Sequence, residues 1–147
     1  MAIARILVVI FMVDVAVKWW ARTLLARGVS FALPTPAGMV GIVPSVNEVL
    51  AFSFPVVNAW IWPVGWVLFA VLLWLAWRSH GATRIALVMI LLGATSNLAE
   101  RTVWGGVTDY LSVTDLYPAL NIADLLVLCG VVGWARAGRG DSERVDR

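Results

Sequence analysis

The sequence predicts an all-α membrane protein with four transmembrane helices and a small extramembrane cap between the first two. Of its 147 residues, 61% are hydrophobic and only 14% are charged, and the mean hydropathy of +0.88 exceeds that of soluble domains. Residues 56–77 form an uncharged run that can cross a hydrocarbon core roughly 30 Å thick at about 1.5 Å per residue. Because lipid satisfies no backbone polar group, we interpret such segments as helices.

Three further apolar segments complete the four-helix count once a few ionisable residues are allowed. They are residues 6–20, 85–99 and 116–135. The first contains Asp14 and Lys18, which interrupt the region where small residues would mark a signal-peptide cleavage site. We therefore predict an uncleaved first helix.

The segment between the first two predicted helices, residues 21–57, differs from them in composition. Short β-branched or aromatic pieces at residues 39–43 and 49–54 alternate with residues that break helices. The breakers are Pro34, Pro36, Gly38, Gly41, Pro44 and Pro55. We expect a small extramembrane hairpin or cap here.

The charged residues predict the orientation of the chain. Residues 136–147 have no apolar period and fit a polar, frayed tail, which leaves residues 1–135 as a single transmembrane domain. With four helices both termini share one side, and most of the basic residues fall on it. These are Arg5, Arg78, Arg84, Arg136, Arg139, Arg144 and Arg147. The positive-inside rule then places both termini in the cytoplasm and residues 21–57 and 100–118 outside.

Composition also argues against several classes of function. The formal net charge of +2 is too small, and the basic residues too scattered, to predict a nucleic-acid reader. The only cysteine, Cys129, cannot form a disulfide within one chain. His80 has no cysteine or carboxylate at ligand spacing, so we predict no metal site.

Three polar pairs interrupt the apolar segments, each pair on one face of a predicted helix. The topology places all three toward the outer ends of the helices, where they can converge on one polar site. An ionisable side chain near the bilayer centre costs on the order of 3 kcal/mol, so such groups should face protein or a water pocket. The pairs are Asp14 with Lys18, Asn97 with Arg101, and Asn121 with Asp124.

Asp109 precedes the fourth predicted helix and can approach Asp124. Two neighbouring carboxyl groups do not ionise easily together, so one can act as a base while the other remains an acid. Attack of water on an amide carbonyl requires such a pair. Arg101 could hold the ionised carboxylate or a developing oxyanion, and Asn97 and Asn121 could orient the carboxylates or the substrate backbone. Which aspartate is the acid stays open.

Other interpretations of the same residues remain. Asp14 and Lys18 fit an intrahelical ion pair that softens burial of both charges, Glu100 fits an interfacial charge, and Asp115 fits a solvated residue or helix cap. A function of another class is a non-enzymatic membrane protein with a proton or ion relay, which predicts a polar path continuing to the cytoplasmic side. Its members would be Asp14, Lys18, Arg101 and Asp124.

The order of the polar residues resembles that of the lipoprotein signal peptidases, the type II signal peptidases of bacteria. The resemblance extends from the first predicted helix to the fourth, and five motifs in this order are more specific than any one of them. The motifs are Asp14-x-x-x-Lys18, Asn47-x-x-x-Ala51-Phe52-Ser53, Gly93-x-x-x-Asn97-x-x-x-Arg101, Gly105-Gly106-Val107-x-Asp109-Tyr110 and Asn121-x-Ala123-Asp124.

The resemblance implies an intramembrane aspartic endopeptidase of the bacterial cytoplasmic (inner) membrane, with no cofactor and with Asp109 and Asp124 as its catalytic residues. Its substrates would be prolipoproteins, cut just before a diacylglyceryl-modified cysteine. Residues 21–57 would form an extracytoplasmic β cradle between helices 1 and 2, beside a site that also binds peptide antibiotics of the globomycin type. The residues that support catalysis or bind substrate would be Asp14, Lys18, Asn47, Asn97, Arg101 and Asn121.

The sequence departs from the usual family pattern at five positions. Val49 and Leu50 replace Gly-Ala, and they add bulk where the strand should approach the substrate, which affects the expected lipobox preference more than the chemistry. Leu92 and Ser96 replace glycines, and Glu100 replaces an aspartate. Since serine is only slightly larger than glycine, Ser96 still allows close helix packing. These are features of a divergent member.

Overall fold

The computed structural model describes residues 2–36, 38–48, 58–113 and 119–145. These parts of the chain contain four helices and three strands, which confirms the predicted helix count. In chain order they are α1 (Ala2–Ala26), β1 (Phe31–Thr35), β2 (Gly38–Asn47), α2 (Asn58–Arg78), α3 (Gly81–Trp104), β3 (Val107–Ser112) and α4 (Ile122–Val145).

The helix boundaries correct two predictions. α1 continues to Ala26, so residues 21–26 belong to the first helix and not to the cap. α4 begins at Ile122 and continues to Val145, so most of the predicted frayed tail is helical. Arg, Ala and Glu in this tail are good helix formers, which allow the helix to continue beyond its apolar residues. The predicted start of the fourth helix at residue 116 lies outside the described residues.

Length and apolar composition together identify one membrane-crossing candidate among the helices of the described residues. This helix is α3, Gly81–Trp104, and α2 contains a shorter apolar stretch, Pro63–Arg78. The crossing of a membrane by all four helices stays a prediction.

The three strands form one antiparallel sheet in the order β1-β2-β3. β3 comes from the connection between α3 and α4, so the cradle is not built from the segment between helices 1 and 2 alone. Gly41 has φ +152°, and a Cβ atom there would overlap the Phe31 carbonyl oxygen, so glycine is required where β1 and β2 approach. The predicted piece at residues 49–54 and the substituted Val49 and Leu50 lie outside the described residues.

α3 occupies the centre of the helix bundle. An apolar cluster joins it to α2 and α4 through Ala76, Leu87, Ile90 and Leu91, with Phe69, Leu72, Leu75 and Val127 packed around them. α4 packs tightly against α3 at Gly93, where an added Cβ atom would overlap the Ala123 carbonyl oxygen and lie 2.8 Å from Val127 Cγ2. Small residues of this kind allow transmembrane helices to approach closely.

A buried polar group of three side chains joins α1 to α3. Ser96 Oγ donates a hydrogen bond to Asp14 Oδ2 over 2.5 Å and accepts one from Lys18 Nζ over 2.9 Å. The Lys18 ammonium also lies 3.3 Å from Asp14 Oδ2. Asp14 and Lys18 are 0% and 2% exposed, so the predicted intrahelical ion pair exists and is fully enclosed.

We expect Gly93→Ala to lower the free energy of unfolding by about 1–3 kcal/mol, because the methyl group must displace the first turn of α4. Gly133→Ala is the matched control, since its Cβ atom would make an ordinary 3.4 Å contact with Ala86 Cβ. Both changes add the same helix propensity. Unfolding of both variants in detergent measures the difference, and equal stabilities would contradict the close packing at Gly93.

We expect Ser96→Ala to cost about 1.5–3 kcal/mol, because it removes a hydrogen bond to a buried charge. Thr95→Ala is the control, since Thr95 Oγ1 donates a hydrogen bond to the Leu91 carbonyl oxygen one turn earlier in its own helix. Its loss should cost less than about 1 kcal/mol. The same unfolding measurement applies, and a loss at Thr95 as large as at Ser96 would refute a special role for the Ser96 hydroxyl.

Candidate active site

Asp109 lies in the middle of β3, held by amide donors from two other segments. Its Oδ2 atom accepts a hydrogen bond from Asn47 Nδ2 at 3.0 Å, and its Oδ1 atom accepts one from Asn121 Nδ2 at 2.6 Å. The residue is 3% exposed. β3 is fixed by β2 on one side and by a bridge between Leu111 and Leu120 on the other. Asp109 therefore sits on a strand within residues 100–118, the connection that the sequence predicted to lie outside the membrane.

Asp124 lies in the first turn of α4 and forms a reciprocal cap with Asn121. The Asp124 N–H donates to Asn121 Oδ1 at 2.9 Å, and the Asn121 N–H donates to Asp124 Oδ2 at 3.2 Å. This pattern satisfies two N–H groups that a helix start leaves without partners. Asn121 precedes the helix, so the two residues pair as a cap and not as neighbours on one helical face.

Asn121 forms hydrogen bonds with both aspartates. Its amide nitrogen binds Asp109, while its amide oxygen and its backbone N–H bind Asp124. Because the amide oxygen is already committed to the Asp124 N–H, the amide nitrogen must face Asp109. Asn121 is fully buried, which fixes the relative position of both carboxyl groups.

Burial raises the pKa of Asp109 above its ordinary value, and the charge of Asp124 raises it further. Hydrogen bonds from Asn47 and Asn121 act in the opposite direction, because they stabilise the ionised carboxylate. Asp109 therefore keeps its proton to a higher pH than a solvated aspartate. Asp124 is half-buried, so the two carboxyl groups occupy different environments.

Lys18 connects Asp124 to the buried polar group that the lysine forms with Asp14 and Ser96. Its ammonium donates to Asn97 Oδ1 at 2.6 Å, and Asn97 Nδ2 donates to Asp124 Oδ1 at 2.8 Å. The lysine thereby sets the orientation of the Asn97 amide, with its oxygen toward α1 and its nitrogen toward α4.

Asp14 anchors the start of α4 beside Asp124. Its Oδ1 atom accepts hydrogen bonds from the Ala123 N–H at 3.1 Å and from the Tyr110 hydroxyl at 3.0 Å. The Ile122 N–H in turn donates to that hydroxyl at 3.1 Å. Burial raises the pKa of Tyr110, so its hydroxyl stays protonated and remains a donor.

Glu100, expected to be an interfacial charge, has partners on two other elements. Its carboxylate accepts the Thr108 N–H at 2.9 Å and the Thr108 hydroxyl at 2.8 Å, and it forms ion pairs with Arg22 at 3.0 Å and Lys18 at 3.3 Å. Since Thr108 immediately precedes Asp109, Glu100 ties α1 and α3 to the strand that carries an aspartate.

Arg101 completes the group. It is half-buried and interacts electrostatically with Asp109, Asp124 and Glu100. The structure thus brings all eight predicted site residues into one region. They are Asp14, Lys18, Asn47, Asn97, Arg101, Asp109, Asn121 and Asp124.

Sequence reasoning missed the roles of four neighbours, namely Arg22, Ser96, Glu100 and Tyr110. One signal for two of them was available, because Ser96 and Glu100 lie one helical turn apart beside Asn97 and Arg101 on α3. Tyr110 ends the motif that contains Asp109, but no local signal predicted the hydrogen bond from its hydroxyl to Asp14, which forms because the sheet places β3 beside α1.

The arrangement suits acid–base hydrolysis. It offers two carboxyl groups in unlike environments, amide donors around them and a nearby guanidinium, as proton transfer and charge stabilisation require. Within residues 2–36, 38–48, 58–113 and 119–145, no group of three or more His, Cys, Asp or Glu residues is placed to hold a metal ion.

Curated relatives with similar sequences are lipoprotein signal peptidases. The Cupriavidus taiwanensis protein is 30% identical over 126 residues, which is 76% of this chain and 69% of the relative. The Chlamydia trachomatis serovar D protein is 33% identical over 99 residues, 62% of this chain and 59% of the relative. The Anaplasma marginale protein is 30% identical over 109 residues, which is 72% of this chain and 55% of the relative. The chain thus spans less than two thirds of the length of the latter two relatives.

Two solved structures of bacterial membrane enzymes share the fold. One has a TM-score of 0.74, and the match covers 94% of this chain and 90% of the solved one. The other has a TM-score of 0.63, and the match covers 89% of this chain and 90% of the solved one. Both are only 16% identical in sequence, so they show the fold alone. The family described as signal peptidase (SPase) II matches residues 6–137, which is most of the chain, and the chain therefore belongs to this family.

Proposed function

We propose that this protein is an intramembrane aspartic endopeptidase that removes signal peptides from prolipoproteins. The cut falls just before the diacylglyceryl-modified cysteine. The observation that carries the proposal is the sharing of Asn121 by Asp109 and Asp124, which holds two carboxyl groups of unlike environment side by side. Membership in the signal peptidase II family supports the same reaction.

In the reaction, the ionised aspartate removes a proton from a water molecule as its oxygen attacks the carbonyl carbon of the scissile peptide bond. The protonated aspartate donates its proton to the leaving nitrogen, and the C–N bond breaks to give a carboxyl group and the free amine of the lipidated cysteine. The raised pKa of Asp109 favours this residue as the member of the pair that keeps its proton. The acid and base roles still depend on how the pair titrates together.

The surrounding polar groups hold the charge that moves during this step. Arg101 interacts with both carboxyl groups and can stabilise the ionised aspartate or the developing oxyanion. Lys18 is enclosed, so it acts through the Asn97 amide that it orients. Asn47 and Asn121 keep the Asp109 carboxyl group in one rotamer, which preorganises the site.

The site suits a lipid-modified substrate in the bacterial inner membrane. The aspartates lie at the end of the bundle where the sheet joins the helices, which the positive-inside rule places on the extracytoplasmic side with both termini in the cytoplasm. The acyl chains of the substrate can remain in lipid while its peptide enters from the side. Globomycin-type peptide antibiotics are expected to compete for the same place.

A proton or ion relay receives no support from the described residues. Such a relay needs polar groups that continue through the bundle. The buried polar side chains in the described ranges all belong to the network around the aspartates; they are Asp14, Lys18, Ser96, Thr108, Asp109 and Asn121. The deeper cluster around Leu87, Ile90 and Leu91 is apolar.

We expect Asp109→Asn and Asp124→Asn each to lower the cleavage rate of a diacylglyceryl-modified prolipoprotein by about 10²–10⁴-fold, because each removes one member of the acid–base pair. The double variant should lose little more, since the two groups act as a unit. The assay uses purified protein in detergent micelles with the mobility shift of the processed substrate as its readout.

Glu48→Gln is the matched control for the two aspartate variants. It removes an exposed carboxylate directly after β2 and should keep wild-type activity. All variants are compared for folding by thermal unfolding. Full activity in both folded aspartate variants, or no cleavage by the folded wild-type protein, would refute the aspartic peptidase proposal.

The pH dependence of activity offers a second test. The Asn47 hydrogen bond stabilises ionised Asp109 and so lowers its pKa, which means that Asn47→Ala should raise this pKa and make the carboxyl group keep its proton to higher pH. If Asp109 is the acid, the alkaline limb of kcat/KM moves to higher pH. If Asp109 is the base, the acidic limb moves to higher pH.

Val46→Ala is the control for this profile, since Val46 is an exposed neighbour on the same strand and its side chain has no hydrogen-bond donor. Its pH profile should match that of the wild-type protein. A profile of Asn47→Ala that stays in place, or moves to lower pH, would show that Asp109 does not titrate in the catalytic step.

A further inference from the structure

A groove of about 430 Å³ lies between the first turns of α1 and α3, at the end of the bundle away from the aspartates. Its walls include Ile3, Ala4 and Leu7 on α1, and Arg84, Ile85 and Val88 on α3. This volume falls in the range of ligand sites in proteins. None of the residues named above for site chemistry lines it.

The groove exists because α1 packs loosely over its first three turns. Leu7 is its only buried residue before Asp14, whereas Ile6, Val9 and Met12 are more than half exposed. The buried polar group around Asp14 joins α1 to α3 farther along both helices. In a bilayer the space left between the first turns is apolar and must be filled by acyl chains, because water there would face no polar partner.

The polar part of the groove is positive. Arg84 lies in the first turn of α3 and is exposed, and the lining contains no acidic residue. The N-terminus of a long helix adds partial positive charge and N–H donors at the same end, and His80 caps none of them with its side chain. A phosphate group fits this setting, and basic pockets between transmembrane helices bind anionic lipid headgroups.

We propose that the groove binds one anionic phospholipid, with its phosphate against Arg84 and the start of α3 and an acyl chain between Leu7 and Val88. The bound lipid closes α1 onto α3 and so stabilises the helix pair that carries Asp14, Lys18 and Ser96. This inference rests on the proposed membrane location and is independent of the proposed peptidase chemistry.

Native mass spectrometry and thermal unfolding of the purified full chain test the site. Phosphatidylglycerol and phosphatidylcholine with identical acyl chains are titrated into the detergent-solubilised protein. We expect one molecule of phosphatidylglycerol to be retained about fivefold more tightly than phosphatidylcholine, and to raise the unfolding temperature. Inorganic phosphate alone should give no such shift, because it fills none of the apolar groove.

Two variants and one control locate the lipid. Arg84→Gln should abolish the preference for the anionic lipid, and Ala4→Trp should fill the groove and abolish retention of either lipid. Arg5→Gln removes a charge from the same end of α1 but outside the groove lining, and it should behave as the wild-type protein. The proposal is overturned if both lipids bind equally, if phosphate alone stabilises the chain, or if Arg5→Gln loses as much preference as Arg84→Gln.

Discussion

The carboxylate of Asp14 and the ammonium of Lys18 are enclosed in the bundle, where each would be costly without partners. Each finds them on other elements. Asp14 accepts hydrogen bonds from Ser96 on α3, Tyr110 on β3 and the backbone of Ala123 on α4. The three elements must therefore meet at α1 for the ion pair to be buried at all.

This requirement couples the fold to the candidate site. The backbone group at Ala123 that binds Asp14 immediately precedes Asp124, and Tyr110 immediately follows Asp109. Each aspartate is thus adjacent in sequence to a residue fixed by the buried ion pair. We infer that the stability of the bundle and the geometry of the carboxyl groups depend on the same hydrogen bonds, so a change at Asp14 or Lys18 should affect both.

Two of the positions at which this chain departs from the usual family pattern take part in the same network. Ser96 supplies a hydroxyl to both members of the ion pair. Glu100 reaches Thr108 with both carboxylate oxygens and also pairs with Arg22 and Lys18. The longer side chain of glutamate spans from α3 to the strand before Asp109. The side chains of Ser96 and Glu100 thus add polar contacts to the network around Asp109 and Asp124.

Local patterns in the sequence predicted the four helices and the polar pairs Asp14–Lys18 and Asn97–Arg101 on them, because apolar periodicity and charge within an apolar segment leave a signal in every short window. Asn47 was predicted only from the resemblance to the family. Tertiary structure alone decided that Asp109 lies on a strand, since β3 exists only by pairing with the distant β2. It also decided that Asn121 caps α4 and bridges the aspartates, and that Glu100 and Tyr110 belong to the network. Those roles depend on contacts between side chains on different elements, and the spacing of residues along the chain does not predict such contacts.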